Sequence, residues 1–440
     1  MIVRITIGNL YSFNEETEIS FVAGKSTAHG EQVSKADKRD DISVLKAGVI
    51  YGANASGKSN LIKAVALLKE IALRGVHRQR VSPFKLAASE RPSKVEIELK
   101  AKGKYYAYGC EFTSRGIDEE WLYEINKRTE TCVFKRTTNE EGNIFEFGRI
   151  KGDKDNGQLA KFIGQGTPRT DSFLSEYVKR NGKGMEAIGV VHAWMKNCLQ
   201  IIYPETHILD LSLQVERNKE FAKATKALLD HFNTGIADIK RTRIEEKDVE
   251  LPHQLISEIT EGMEPNRGKI ATTDRKTYYF ETNQEGRTTI YEQKTTHLDA
   301  KGNSIVFNME EESDGSLRLL DFIPMLLSFQ RGEAVFLVDE IDRSMHPMMT
   351  QELLEGYFNQ LTQGRDTQLI CTTHESNLLD MNLLRADEVW FVEKDQLGAS
   401  HLTSLAEYKP REDVRRGYLQ GRYGAIPFFA KTKDLKWNER

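Results

Sequence analysis

The chain opens on an alternation of apolar and polar residues, MIVRITIGNL and then TEISFV, which predicts two strands before about residue 22. The polar segment from Gly24 to Asp41, rich in Lys, Asp, Ser and Gly, reads as a loop. Ala47 to Tyr51 is a short apolar strand, and LIKAVALLKEIAL, a few residues later, spaces its apolar positions for one face of a helix. KVEIELKAKGKYYAYGCEF, EEWLYEI and CVFKRTT then carry strand patterning, with turn residues at Lys102-Gly103 and Glu141-Gly142-Asn143, and predict an antiparallel sheet attached beside the first strand and helix. From about Asp171 to Leu255 the spacing becomes helical, as in EAIGVVHAWMKNCLQII and NKEFAKATKALLDHF. Strands return in KTYYFETN, TTIYEQKTT and SIVFNMEEE, and a helix, SLRLLDFIPMLLSFQ, leads into AVFLVDEID. No heptad pattern persists for several turns, and no repeat of about 20 to 50 residues is present.

Composition narrows the class without naming a function. With 440 residues, 39% hydrophobic and 29% charged, the chain can bury a sizeable core as one composite domain or two. A net charge of -4 offers no global field for nucleic acid, so any such contact must be a local patch. The four cysteines, Cys110, Cys132, Cys198 and Cys371, form no C-x-x-C pair and read as reduced thiols of a cytosolic protein. The longest apolar run, LLDFIPMLLSF, is too short to span a bilayer and holds Asp321 and Pro324. The start of the chain reads as a strand and not as a secretory signal, so a cytoplasmic protein with no membrane contact is expected.

Four short stretches carry chemistry. In YGANASGKSN the loop of Gly52, Ala53, Asn54, Ala55, Ser56, Gly57, Lys58, Ser59 and Asn60 fits the pattern G-x-x-x-x-G-K-S between a strand and a helix. Its glycines let backbone N–H groups point at phosphate oxygens, the helix start adds positive dipole, Lys58 reaches the β- and γ-phosphates, and Ser59 ligates Mg2+. Such a cradle serves kinases, GTPases and motors alike. In AVFLVDEID, five apolar residues make a buried parallel-type strand ending in Asp339 and Glu340; beside the loop, Asp339 would hold Mg2+ through water and Glu340 would orient an attacking water. QLICTTHES is a second apolar strand, with His374 at its tip where it can sense a γ-phosphate. In EESDGSLRLLDF, Ser313 and Gly315 stand just before an amphipathic helix, another N-terminus suited to phosphate.

In this order the four stretches resemble the ATP-binding-cassette type of ATPase, in the branch that includes SMC heads, RecF and OLD-family proteins. YGANASGKSN stands as the Walker A loop, ESDGSLRLL as the signature, FLVDEIDRSMHP as the Walker B strand with its D-loop, and TTHES as the switch histidine. The likeness covers about residues 1–110 and 300–395. VSPFKLA, DEIDRSMHP and the tail YGAIPFF look like stand-alone ATPases of bacterial phage-defence operons of the RloA, AbiL and AriA types. Two departures stand out: no glutamine loop is found, VSPFKLA occupying its place, and the signature reads SDGS instead of the transporter form with two adjacent glycines.

The resemblance implies an α/β fold: an ABC-type P-loop ATPase head with a mixed or parallel sheet flanked by helices, an attached antiparallel β subdomain and an inserted helical lobe. It places the N-terminal part of the head with the β subdomain in residues 1–170, the helical lobe in 171–265 and the C-terminal part of the head in 266–440. It implies ATP and Mg2+ as ligands, Glu340 and His374 as catalytic residues, Ser59 and Asp339 as metal ligands, and Ser313 and Gly315 acting in trans. The chain would then form a homodimer or higher oligomer through an ATP sandwich, as a sensor or scaffold in anti-phage defence. Its toxic effector, such as a TOPRIM-fold nuclease, would be a separate protein and its trigger a phage component. With about 45 residues after Asp395 and no spare set of spaced carboxylates, the chain is not expected to be that nuclease. A DNA-binding repair or recombination ATPase like RecF is the alternative. The tail EYKPREDVRRGYLQGRYGAIPFF, basic and aromatic in part, reads foremost as a solvated edge, with a partner surface or a nucleic-acid patch as the other readings.

Overall fold

The computed structural model describes the chain apart from residues 36–41, 78–79, 88–90, 153, 274–275, 330–331, 362–364, 411–412 and 427–440. The end of the polar loop and the last residues of the tail, Pro427 to Phe429, therefore lie outside the described residues. The chain divides into two units. The first comprises 1–204, 332–342 and 351–440, and the second 205–331 and 343–350.

At the centre of the first unit is a six-stranded sheet in the order Leu199–Ile202, Ala334–Val338, Thr367–Thr373, Ala47–Gly52, Val389–Lys394 and Ser400–Ser404. The first five strands run parallel and the last closes an antiparallel hairpin. Ala47–Gly52, Ala334–Val338 and Thr367–Thr373 are buried along their whole length, which suits the apolar runs AGVIY, AVFLV and LIC that they carry. Because they are parallel, all three end on one edge. A seven-stranded antiparallel sheet runs Gly142–Phe147, Glu130–Asn139, Gly116–Ile125, Lys104–Thr113, Ser93–Ala101, Ile2–Gly8 and Thr17–Ser20. The helix Lys58–Arg74 packs against strands of both sheets and buries Leu61, Ile62, Val65, Leu68 and Ile71 in a shared core.

The second unit holds a five-stranded antiparallel sheet of Asp238–Ile244, Thr288–Leu298, Thr277–Thr282 and Gly268–Thr272, with Ser304–Asn308 pairing on Thr288–Leu298. The helices Lys219–His231 and Asp314–Ser328 meet over Phe221, Leu229, Leu320, Ile323 and Leu327. The interval 171–265, expected as one helical lobe, is thus divided. Phe173–Lys179 and Glu186–Ala193 belong to the first unit, because Phe173 inserts its ring among Phe134, Phe145 and Phe147 at centroid distances of 4.8, 4.6 and 5.8 Å. Burying that ring contributes about 2–3 kcal/mol. The expected helix EAIGVVHAWMKNCLQII ends at Ala193. After a wide turn at Trp194–Cys198, LQII becomes the edge strand of the central sheet, its backbone drawn into the ladder by Ala334–Val338.

Glu120 ties that helical element to the antiparallel sheet. It is fully buried, accepts the N–H groups of Phe173 at 2.7 Å and Leu174 at 3.1 Å, and accepts hydroxyl donors from Ser172 at 3.0 Å and Tyr108 at 3.1 Å. The buried Arg136 guanidinium stands 3.7 Å away. A carboxylate is tolerated there because a helix N-terminus, two hydroxyls and a cation replace its water. Glu120→Ala strands Arg136 and the helix start, and is expected to cost about 3–5 kcal/mol in denaturant unfolding. Glu120→Gln should cost less, and an alanine variant within about 1 kcal/mol of wild type would contradict the brace.

Candidate functional site

The strand Ala47–Gly52 delivers the glycine loop at the edge where the parallel strands end. Gly52 leaves no room for a side chain, since a Cβ there would lie 2.6 Å from the Val392 carbonyl oxygen. Gly57 sits at φ 115°, and a Cβ on it would meet Ser400 Oγ at 2.2 Å and Ser12 Oγ at 2.7 Å. Asn54 and Ala55 form the exposed crown, Ala55 at φ 63°, Ala53 is half-buried, and Ser56 is buried. Behind the loop Ser400 Oγ donates to Ser56 O at 2.5 Å and lies 2.7 Å from Ser12 Oγ, and Asn60 Nδ2 donates to Ser12 Oγ at 2.8 Å. Lys58 then opens a 17-residue helix with no acidic residue in its first turn, so nothing in that turn neutralises its dipole.

The side chains at this edge form two adjoining sets of hydrogen bonds, one around Asp339 and one around Lys58. Ser59 Oγ donates to Asp339 Oδ1 at 3.1 Å, and Thr372 Oγ1 donates to the same oxygen at 2.7 Å. Thr372 Oγ1 also accepts the Glu340 N–H at 2.8 Å, with Glu340 held in the left-handed region at φ 50°. The Asp339 N–H donates to Ile202 O at 2.9 Å, which fixes the strand end from its other neighbour. Lys58 Nζ donates to Gly52 O at 2.7 Å and Ala53 O at 3.2 Å, and lies 3.4 Å from His374 Nδ1. An ammonium only donates, so Nδ1 accepts and the His374 proton sits on Nε2. The His374 N–H reaches Asp342 at 3.3 Å. Burial and the Lys58 charge push the His374 pKa down. Burial lowers that of Lys58 to about 8, against the pull of Glu340, Asp339 and Asp342.

The structure therefore brings together Gly52 to Asn60, Asp339, Glu340 and His374. Ser313 and Gly315 are in the second unit. There Ser313 caps the helix Asp314–Ser328, accepting the Ser316 N–H at 3.1 Å, and Gly315 is pressed against the Ser344 carbonyl, 2.9 Å from where a Cβ would be. Sequence reasoning missed Thr372, Ser12 and Ser400. Thr372 could have been noticed as a hydroxyl near the end of an apolar strand. The two serines come from distant segments and leave no local signal.

The donor set suits a magnesium ion. Among the described residues no group of three or more His, Cys, Asp or Glu could hold a metal, but a hydroxyl and a carboxylate already in contact would give Mg2+ the partial ligand set it completes with water and substrate phosphate. Among the described residues no helix is long and apolar enough to cross a membrane.

A P-loop ATPase domain is the class that this sheet edge and loop define. Residues 49–170 and 199–380 match the family described as "AAA domain, putative AbiEii toxin, Type IV TA system", and the chain belongs to that family. No curated protein matches the sequence. Among solved structures, the SMC head domain from Thermotoga maritima is similar at 12% identity, with 92% of this chain and 98% of that chain covered and a TM-score of 0.35.

Two outcomes follow from the two sets of hydrogen bonds. Lys58 titrates near pH 8 in the free protein, against 10.5 for an exposed lysine, so the charged form is penalised below pH 8 and that penalty fades as pH rises to 10.5. An anionic ligand that favours the ammonium must then take up a proton between pH 8 and 9 and bind more weakly as pH climbs; calorimetry of ATP binding in buffers of different ionisation enthalpy reads this, and zero uptake contradicts it. Thr372→Val removes the hydroxyl shared by Asp339 and Glu340. Steady-state assays should show ATP hydrolysis falling about 10- to 100-fold, with nucleotide affinity measured alongside to separate binding from turnover.

Proposed function

We propose that this chain is an ATP-hydrolysing switch of bacterial anti-phage defence: nucleotide binding joins two copies, hydrolysis releases them, and the assembled state controls a separate toxic effector such as a nuclease. The observation that carries the reading is the meeting of Lys58 and Ser59, at a helix start, with Asp339, Glu340 and His374, at the ends of two parallel strands: Lys58 against His374, and Ser59 with Asp339 and the Glu340 backbone through Thr372. Lys58 would exchange loop carbonyls for phosphate oxygens, and the N–H groups of the loop and helix start would bind the same charge. Ser59 and Asp339 would hold Mg2+, which when bound supplies positive charge to the β- and γ-phosphates. Glu340 would orient the attacking water and accept its proton as the bond to the γ-phosphorus forms and the bond to the β–γ bridging oxygen breaks, giving ADP and phosphate. His374 would offer its Nε2–H to the γ-phosphate.

Ser313 and Gly315 of a second copy would complete the site, so that ATP contacts both subunits only when they are joined. Shifting such an equilibrium from 1:99 to 99:1 requires about 5.5 kcal/mol of differential binding, or a little under about 3 kcal/mol from each of two shared nucleotides. The effector would be a separate protein, as the resemblance to stand-alone phage-defence ATPases implies. The family's toxin–antitoxin description supports a toxic output.

Glu340→Gln should bind ATP, lose hydrolysis by about a hundredfold or more, and remain assembled in sedimentation velocity runs with ATP and Mg2+. Wild-type turnover by that variant would remove Glu340 from the mechanism. Lys58→Ala should lose nucleotide binding altogether, and retained tight binding would overturn the reading of the loop. Hydrolysis stimulated by DNA ends, with an affinity that falls steeply with salt, would move the output to DNA repair or recombination.

A further inference from the structure

The residue before Ser313 has the character of a brace. Glu312 has a side chain only 5% exposed, yet one of its oxygens, Oε1, takes two partners from the strand Thr288–Leu298: Thr295 Oγ1 donates to it at 2.5 Å, and His297 Nε2 lies 2.7 Å away. The His297 ring is held in turn against Phe307 of the neighbouring strand, with centroids 4.4 Å apart. On either side of Glu312 the backbone is also fixed. Asn308 and Glu311 form a reciprocal capping box around the turn Met309–Glu311, and Ser313 caps the helix Asp314–Ser328. Burying a carboxylate is costly unless its donors are well placed, and an ordinary helix start needs no such residue. The strand it grips is the best-supported in its sheet, paired with Asp238–Ile244, Thr277–Thr282 and Ser304–Asn308.

We infer that Glu312, held by His297 and Thr295, is a positioning residue that sets the exposed Ser313 and the half-buried Gly315 for the γ-phosphate of the second copy's nucleotide. This rests on the shared-site reading above and names what holds the donated half of that site. None of the three touches the nucleotide. Their loss should therefore leave the loop of the same chain able to bind ATP while spoiling what that chain offers its partner. That split separates positioning from general stability.

The test uses the full chain with Thr295→Val, His297→Ala, His297→Gln and Glu312→Gln, beside Ser313→Arg as a block of the signature. Fluorescent ATP binding, steady-state hydrolysis and ATP-driven assembly in the Glu340→Gln background are read for each. Expected is an ATP Kd within about twofold of wild type, kcat lowered at least tenfold and assembly lost for His297→Ala and Glu312→Gln, with partial recovery in His297→Gln, whose amide can still donate to Glu312. Thr295→Val, which keeps shape and buries no new polar group, should lower kcat with the same unchanged Kd. Wild-type kcat and assembly in His297→Ala and Thr295→Val, while Ser313→Arg is inactive, would overturn the brace alone. Normal assembly and hydrolysis by Ser313→Arg would overturn the shared-site reading itself.

Discussion

The candidate site hangs on one nearly buried carboxylate. Asp339 is 3% exposed at the end of an apolar strand, a position that a charge holds only if donors replace its water. Its Oδ1 receives hydroxyls from two other strands' worth of sequence: Ser59 from the helix after the glycine loop, and Thr372 from the strand between them. The strand order makes this possible. Thr367–Thr373 lies between Ala334–Val338 and Ala47–Gly52, so its Thr372 reaches Asp339 and the Glu340 backbone on one side, while His374 beyond it reaches Lys58 on the other. Remove the carboxylate and Ser59 and Thr372 lose the shared acceptor that joins the helix after the loop to the central strands.

Rigidity around that edge comes from packing. The helix carrying Lys58 and Ser59 is pressed between two sheets, so its N-terminus is fixed by the apolar residues along its length. The far end of the antiparallel sheet is fastened through Glu120 and Arg136, a buried pair whose value lies less in its Coulomb energy than in the penalty for breaking it. Closer to the loop, Ser12 and Ser400 fill the space a side chain on Gly57 would take. Lys58 is consequently poised in a partly desolvated place, with its pKa drawn down toward neutrality before any phosphate is near.

How much of this is readable in the sequence depends on the range over which each feature is encoded. The glycine loop, Asp339, Glu340 and His374 were legible because chemistry and local structure coincide: a buried apolar strand ends and polar residues begin. The strands of the antiparallel sheet were legible from alternation. LQII was not, because four apolar residues after a helix continue its spacing as well as they begin a strand, and only pairing with Ala334–Val338 decides. The strand DIKRTRI, Asp238–Ile244, was hidden by its charges; it lies at a sheet edge, where lysine and arginine are tolerated and Arg241 is neutralised by Glu216 and Glu281. Thr372, Ser12 and Ser400 matter through partners 32 to 388 positions away, a distance that local pattern does not span. Nor does pattern show that the stretch 171–265 belongs to two units.

The central claim is that the loop of one copy and the signature of another make one site. Mixing two inactive variants tests it most directly. Lys58→Ala has lost the loop but keeps Ser313, and Ser313→Arg has lost the signature but keeps the loop, so a mixed dimer rebuilds one complete site. The account predicts no ATP hydrolysis by either variant alone and a clear recovery of hydrolysis when equal amounts are combined. A mixture as inactive as its parts, with mixed dimers shown to form, would contradict it.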